Sequence, residues 1–216
     1  MQIHNLAQGS PERQYRFEKF GASKAAAMLE ISPLVKRNEL LHMKATGTAQ
    51  EFGDWVQKYI LDYGHEVEAL ARPLVEELIG NELNPVTCSD GRLSALRDGL
   101  TMAADVAFEH KQWNQALASS IYDGALPDEY MLQCHQIMMV TGAGKVVFVC
   151  SDGTPASFVH IDVLPDPAWQ ARIFAGWIQF EADLAAYKHV EILPPSVAAS
   201  VQDRRSCRSA SMVSSR

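Results

Sequence analysis

No two of the four cysteines, Cys88, Cys134, Cys150 and Cys207, form a CxxC pair, and none has histidines at zinc-finger spacing. A structural zinc site is therefore not expected. No apolar run approaches the ~18 residues of a membrane span, and the opening MQIHNLAQGS lacks the apolar stretch of a secretion signal. These absences predict a reduced, cytoplasmic protein with no membrane partner. A surplus of positive charge is missing as well: 19 Lys+Arg stand against 26 Asp+Glu, for a formal net charge of -7. That argues against a uniformly basic surface that coats nucleic acid. A local basic groove remains compatible, because counterion release depends only on the cations that meet phosphates.

What is present suits one folded unit. With 216 residues, 47% of them hydrophobic, the chain is long enough for one well-buried domain and short for two. We expect a single domain over 1–190. The remainder, 191–216, is rich in Ser, Arg and Ala, has little to bury, and reads as a mobile tail.

Ser10-Pro11-Glu12 predicts a helix start carrying Arg13 to Phe17, and Ser23 is placed to cap a second helix over the Ala/Met/Leu run that follows. There it would sit at a helix N-terminus, a place that favours anions. Apolar residues between Ala49 and Ile79 recur at helical intervals, interrupted near Gly64 and bent at Pro73, which predicts two helical segments. Asp90-Gly91 between two strand-like runs predicts a hairpin, and a second turn is expected at Asp98-Gly99. A looped segment holding Trp113 follows. A helix from Asp128 to the glycine stop at Gly142, two strands about Asp152-Gly153, and a helix over 166–188 complete the pattern. This order predicts an α/β (α+β) fold with a central mixed sheet flanked by helices.

The chemistry concentrates in ADVAFEHK. Strand alternation puts Val106, Phe108 and His110 on one face and Asp105, Ala107, Glu109 and Lys111 on the other, with Glu109 and Lys111 about 7 Å apart along the strand. A Glu-x-Lys triplet by itself commonly marks a solvated strand face. Here a turn at Gly99 would bring Asp98 beside Glu109. Carboxylates gathered in a pocket repel one another unless a divalent cation neutralises them, and oxygen donors favour Mg2+ or Mn2+. Such an ion supports phosphodiester hydrolysis. Lys111 can orient the attacking water or offset phosphate charge, and can deprotonate that water only if its pKa is depressed.

Asp98 followed by Glu109-His110-Lys111 resembles the PD-(D/E)XK nuclease signature, with Arg97 in place of the proline. With YRFEKFGASKAAAMLEIS, YGHEVEALAR, RDGL, FEHK and YMLQCHQIMMVTG in this order, the chain resembles the lambda-exonuclease or YqaJ-like viral recombinase family over about residues 8–188. The resemblance implies a restriction-endonuclease-like core in which Asp98, Glu109 and the His110 backbone carbonyl bind metal and Lys111 lies beside the attacking water. Glu68 matches the helix carboxylate that completes the metal site, with Glu66 as the competing choice. Gln133 matches a glutamine near the metals. Arg16 and Ser23 match residues that grip a terminal 5′-phosphate. Two departures stand out: Leu96 occupies the place of a phosphate-binding serine, and Glu12 and Arg13 replace a tryptophan.

The implied activity is Mg2+-dependent 5′-to-3′ exodeoxyribonuclease action on linear double-stranded DNA, releasing mononucleotides and leaving 3′ overhangs for single-strand annealing. A homotrimeric ring, a single-strand annealing protein as partner, and a phage or prophage origin in a bacterial host cell follow from the same resemblance. The alternatives are a structure-selective or restriction-like endonuclease and a non-catalytic DNA-binding scaffold.

Overall fold

The structure, a computed structural model, describes residues 1–4, 14, 15, 17–48 and 62–188, with only the backbone of 96 and 97. The expected helix start at Ser10, Arg16, the first helical segment up to residue 61 and the 191–216 tail lie outside the described residues. Residues 14, 15, 17 and 18 are helical. The strands are β1 (Gln2–His4), β2 (Phe20–Gly21), β3 (Asn84–Asp90), β4 (Leu93–Leu100), β5 (Val106–Gln112), β6 (Lys145–Ser151) and β7 (Phe158–Val163). The α-helices are α1 (Ala25–Met28), α2 (Arg37–Thr46), α3 (Tyr63–Ile79), α4 (Gln115–Tyr122), α5 (Asp128–Thr141) and α6 (Pro167–Ala186). Among the described residues no helix is long and apolar enough to cross a membrane.

The seven described strands form one mixed sheet in the order β1-β3-β4-β5-β6-β7, with β2 alongside β4. β5 and β6 are parallel, and so are β2 and β4; the other pairs are antiparallel. The parallel β5/β6 pair is covered on both faces. Ala107, Val146 and Phe148 share a core with Leu117 of α4 and Ile137 of α5, whereas Phe108, Val147 and Val149 pack with Ala71 and Val75 of α3. Two-sided burial explains why KVVFVCS reads as a continuous apolar run while β5 can still carry polar groups near its end. A third core joins Phe20, α1 and α2 to α6.

Gln136 of α5 links these layers. Its Nε2 donates to the carbonyls of Phe20 (2.7 Å) and Ser94 (3.2 Å), and its Oε1 accepts from Trp177 Nε1 at 2.7 Å. It thereby fixes β2, β4 and α6 relative to α5. The last helix starts as its sequence predicts, with Asp166 accepting from the Ala168 N–H at 2.8 Å and Pro167 in the first turn.

Three expectations need correction. The second turn is not at Gly99: β4 continues to Leu100, and the reversal occupies 101–105, where Ala104 adopts φ 58° and Thr101 Oγ1 donates to Asp105 Oδ1 at 2.5 Å. Gly99 answers a different demand, since a Cβ there would lie 2.8 Å from Leu83 Cβ. The segment after Trp113 is helical, with Asn114 Oδ1 accepting from the Leu117 N–H at 3.0 Å. Ser23 lies inside the 3-10 turn Ala22–Lys24 and makes no capping bond. The second expected helical segment is α3, which starts at Tyr63, carries Glu66 in its first turn and contains Pro73.

The close approach at Gly99 gives a direct test. Gly99→Ala should lower the unfolding free energy by roughly 1–3 kcal/mol through overpacking against Leu83, measured by urea denaturation; an unchanged midpoint would mean that the strand and the Leu83 loop separate freely.

Candidate active site

The site forms where β4 and β5 part. They pair only at Gly99↔Phe108 and Leu100↔Ala107, while β2 pairs with β4 at Leu93 and Ser94. Just past the last β4/β5 pair, the Asp98 side chain takes the place of a ladder partner: its Oδ2 accepts the His110 N–H at 2.5 Å. A strand directs a residue's N–H and C=O to the same edge, so the His110 carbonyl also points into this gap. The His110 ring faces away, with Nε2 2.9 Å from Ser151 Oγ, and its pKa is lowered to about 4 by burial and by Lys111. It is a neutral structural side chain.

Alternation along β5 places Glu109 and Lys111 on the same face as Ala107, beneath α5. Glu109 is 3% exposed, and its Oε1 accepts from both Lys111 Nζ (2.5 Å) and Gln133 Nε2 (2.6 Å). Its Oε2 is buried with no hydrogen-bond partner. On the opposite flank, Glu68 of α3 receives Arg72 Nη2 at 2.7 Å, while Arg72 Nε donates to the Asp98 carbonyl at 2.9 Å. One guanidinium therefore ties the helix carboxylate to the strand that carries Asp98. His65 Nδ1 lies 3.6 Å from the other Glu68 oxygen.

The carboxylates feel one another. Burial pushes the Asp98 carboxyl well above its ordinary range, and the negative charges of Glu109 and Glu68 add to the rise; Lys111 and the His110 N–H offset part of it. Glu109 is raised by burial too, against the pull of Lys111. For Lys111, burial favours the neutral amine, but attraction to Glu109 and Asp98 outweighs it and the pKa rises. In the ion-free site Lys111 is therefore held as an ammonium that donates to Glu109.

The structure brings Asp98, Glu109, Lys111, Glu68 and Gln133 together, with the His110 backbone at their centre. The expected crowding of carboxylates at ligating distance is only partly met. Among the described residues, no three His, Cys, Asp or Glu side chains are arranged to hold an ion, because Glu109 Oε1, Asp98 Oδ2 and Glu68 Oε1 are each turned to a donor of the protein itself. Ser23 makes no contact with these side chains that places it in the site; it follows Gly21, which pairs with Ser94 four residues before Asp98 on the parallel neighbour β4. Arg16 lies outside the described residues. Leu96 is in β4, opposite Thr87. The sequence reading assigned no role to Arg72 or to Tyr130, whose ring centroid lies 5.9 Å from Lys111 Nζ. Their signals were the i,i+4 spacing of Glu68 and Arg72 and the three-residue step from Tyr130 to Gln133.

Asp98, Glu109 and Lys111 thus stand at a strand edge of a mixed sheet flanked by helices, the fold class the sequence predicts. The YqaJ-like viral recombinase domain matches residues 13–144, more than half of the chain, and the protein belongs to that family. Among solved structures, it is similar to an alkaline exonuclease (LHK-Exo) from Laribacter hongkongensis, at TM-score 0.63 and 23% identity over 82% of this chain and 95% of that one. The complex of LHK-Exo with dAMP aligns at TM-score 0.67 and 23% identity, covering 82% and 93%. A phage-related exonuclease from Haemophilus somnus 129PT aligns at TM-score 0.54 and 11% identity, covering 81% and 98%. No curated protein sequence matches the chain.

Arg72→Lys keeps the charge but loses the fork that reaches both Glu68 and the Asp98 carbonyl. It should destabilise the fold by about 1–2 kcal/mol, read by urea unfolding; wild-type stability would show that the bridge does not hold α3 to β4.

Proposed function

We propose that this chain is a divalent-cation-dependent exodeoxyribonuclease that degrades one strand of linear duplex DNA from its 5′ end, releases mononucleotides and leaves 3′ single-stranded overhangs. The observation that carries the reading is the buried Glu109 Oε2, which has no partner and lies close to Asp98, whose carboxyl is raised by burial and further by the charges of Glu109 and Glu68. Unpaired buried carboxylate oxygen is costly, and a hard cation satisfies it. The residues fit such a group: Asp98, Glu109, Glu68 and the outward-turned His110 carbonyl are all oxygen donors suited to Mg2+, with Mn2+ able to substitute. When bound, the ion supplies Lewis-acid stabilisation of phosphate charge and a lowered pKa for the attacking water.

The protein's own side chains do the remaining work. Lys111, held as an ammonium by Glu109 and Asp98, donates toward the phosphate or the water and offsets the charge that builds on the phosphate oxygens. Gln133 fixes the Glu109 carboxylate from the helix side, and Arg72 keeps Glu68 facing β4. In this reading Arg16 and Ser23 receive the terminal 5′-phosphate. The chain acts as a homotrimeric ring beside a single-strand annealing protein, in phage-type recombination within a bacterial cytoplasm. A ring retains DNA by encircling it, which reconciles the net charge of -7 with a polyanionic substrate. The dAMP held by LHK-Exo is a deoxynucleoside monophosphate, the product class this reaction releases.

The test is digestion with Mg2+ of linear duplexes bearing a 5′-phosphate or a 5′-hydroxyl, and of closed circular duplex. Linear DNA should shorten from its 5′ ends to mononucleotides, faster with the phosphate, while circles stay intact. Cleaved circles would establish an endonuclease; binding without cleavage in Mg2+ or Mn2+ would establish a scaffold. Glu109→Ala should cost at least about a hundredfold in kcat with DNA binding retained, and undiminished hydrolysis would remove Glu109 from the chemistry.

A further inference from the structure

Gln133 is not the only residue of α5 that faces the Glu109–Lys111 pair. Tyr130 lies three residues earlier, on the same helix face. Gln133 holds the carboxylate end of the pair, and the Tyr130 ring stands beside the ammonium end, its centroid 5.9 Å from Lys111 Nζ, within the range at which a cation is drawn to an aromatic ring. The ring is itself held in place. It packs on Phe148 with centroids 5.2 Å apart and planes at 44°, and Phe148 is fully buried and pairs with Glu109 across the parallel β5/β6 register. Phe148, Tyr130 and Lys111 therefore form a wall whose position is fixed by the sheet that carries the carboxylate.

Lysine has four rotatable side-chain bonds and strong hydration, so a partly exposed ammonium tends to swing toward water. The Lys111 side chain is 29% exposed and has such a route open. An aromatic neighbour opposes that swing by offering the ammonium a negative π surface in a site with little water. We propose that Tyr130 is a positioning residue for the hydrolysis: its ring keeps the Lys111 ammonium over the Glu109 carboxylate and aimed into the gap between β4 and β5. The inference rests on the nuclease reading of this site and deepens it.

Full-length protein is assayed on 5′-phosphorylated linear duplex with Mg2+, alongside thermal unfolding of each variant. Tyr130→Leu should lower kcat roughly 5- to 30-fold with KM for DNA changed by less than about twofold, and Tyr130→Phe should restore kcat to within about twofold of wild type. A second readout needs neither DNA nor metal: with 13C-labelled lysine, the Lys111 Cε resonance, assigned by its loss in Lys111→Ala, should be displaced by the ring current in wild type and Tyr130→Phe and return to the ordinary lysine position in Tyr130→Leu. Wild-type kcat in Tyr130→Leu, a Phe variant as impaired as the Leu variant, a loss carried entirely by KM, or a Lys111 resonance that ignores the ring would each overturn the proposal. A wild type that binds DNA without hydrolysing it would refute the nuclease reading instead, while the resonance would still report whether ring and ammonium meet.

Discussion

The site exists because β4 and β5 stay paired for only two residues before they separate. A buried strand edge cannot leave its N–H groups without acceptors. At His110 the missing ladder carbonyl is replaced by the Asp98 carboxylate, which is thereby drawn into the sheet and out of water. The substitution has two consequences. It leaves the His110 carbonyl directed into the opening, and it buries an acid next to two others, so that Asp98 resists ionisation more than any exposed aspartate. The acidic character of the gap is thus a product of the backbone geometry as much as of the residue types.

Two helices from opposite faces of the sheet then complete it. α3 brings Glu68 and Arg72, and the guanidinium reaches past its own helix to the Asp98 carbonyl. α5 brings Tyr130 and Gln133 to the Glu109–Lys111 pair, and, one helical turn further, Gln136 to the carbonyls of Phe20 and Ser94. A single helix therefore sets both the carboxylate geometry and the placement of the β2 segment that leads into Ser23. The β5/β6 pair beneath it is packed on both sides, which leaves the strand carrying Glu109 and Lys111 little freedom to shift.

Period and punctuation in the sequence located what local physics controls. The alternation of VAFEHK, the Asp90-Gly91 hairpin, the 128–141 helix with its glycine stop and the Asp166-Pro167 helix start all appear where the pattern puts them. The misreadings at Gly99 and α4 share a tertiary cause. Gly99 looked like a turn glycine because Asp-Gly commonly is one, but its lack of a side chain serves a close approach by Leu83, a residue sixteen positions away. α4 is a short helix whose apolar positions Leu117, Ala118 and Ile121 become meaningful only once the sheet surface beneath them is known. For Ser23, a four-residue helix after a 3-10 turn offered no frame to cap. The family resemblance supplied Glu68 and Gln133, which spacing alone could not select. It did not supply the protonation state of Lys111, which depends on how closely Glu109 and Asp98 surround it.

That protonation state bears on how the proposed site meets its substrate. Glu68, Asp98 and Glu109 contribute three negative charges and Lys111 and Arg72 two positive ones, so the ionised cluster carries one negative charge and repels phosphate. Burial raises the carboxyl pKa values of Asp98 and Glu109, and the neighbouring carboxylate charges add to the rise. On the proposed reading a divalent ion turns the local balance to one positive charge, attracting a phosphodiester, without any change in the acidic exterior. A lysine that titrated near neutrality would forfeit that reversal, because loss of its proton would return the cluster to neutrality. In the ion-free site Glu109 and Asp98 hold Lys111 as an ammonium, and its charge offsets part of theirs.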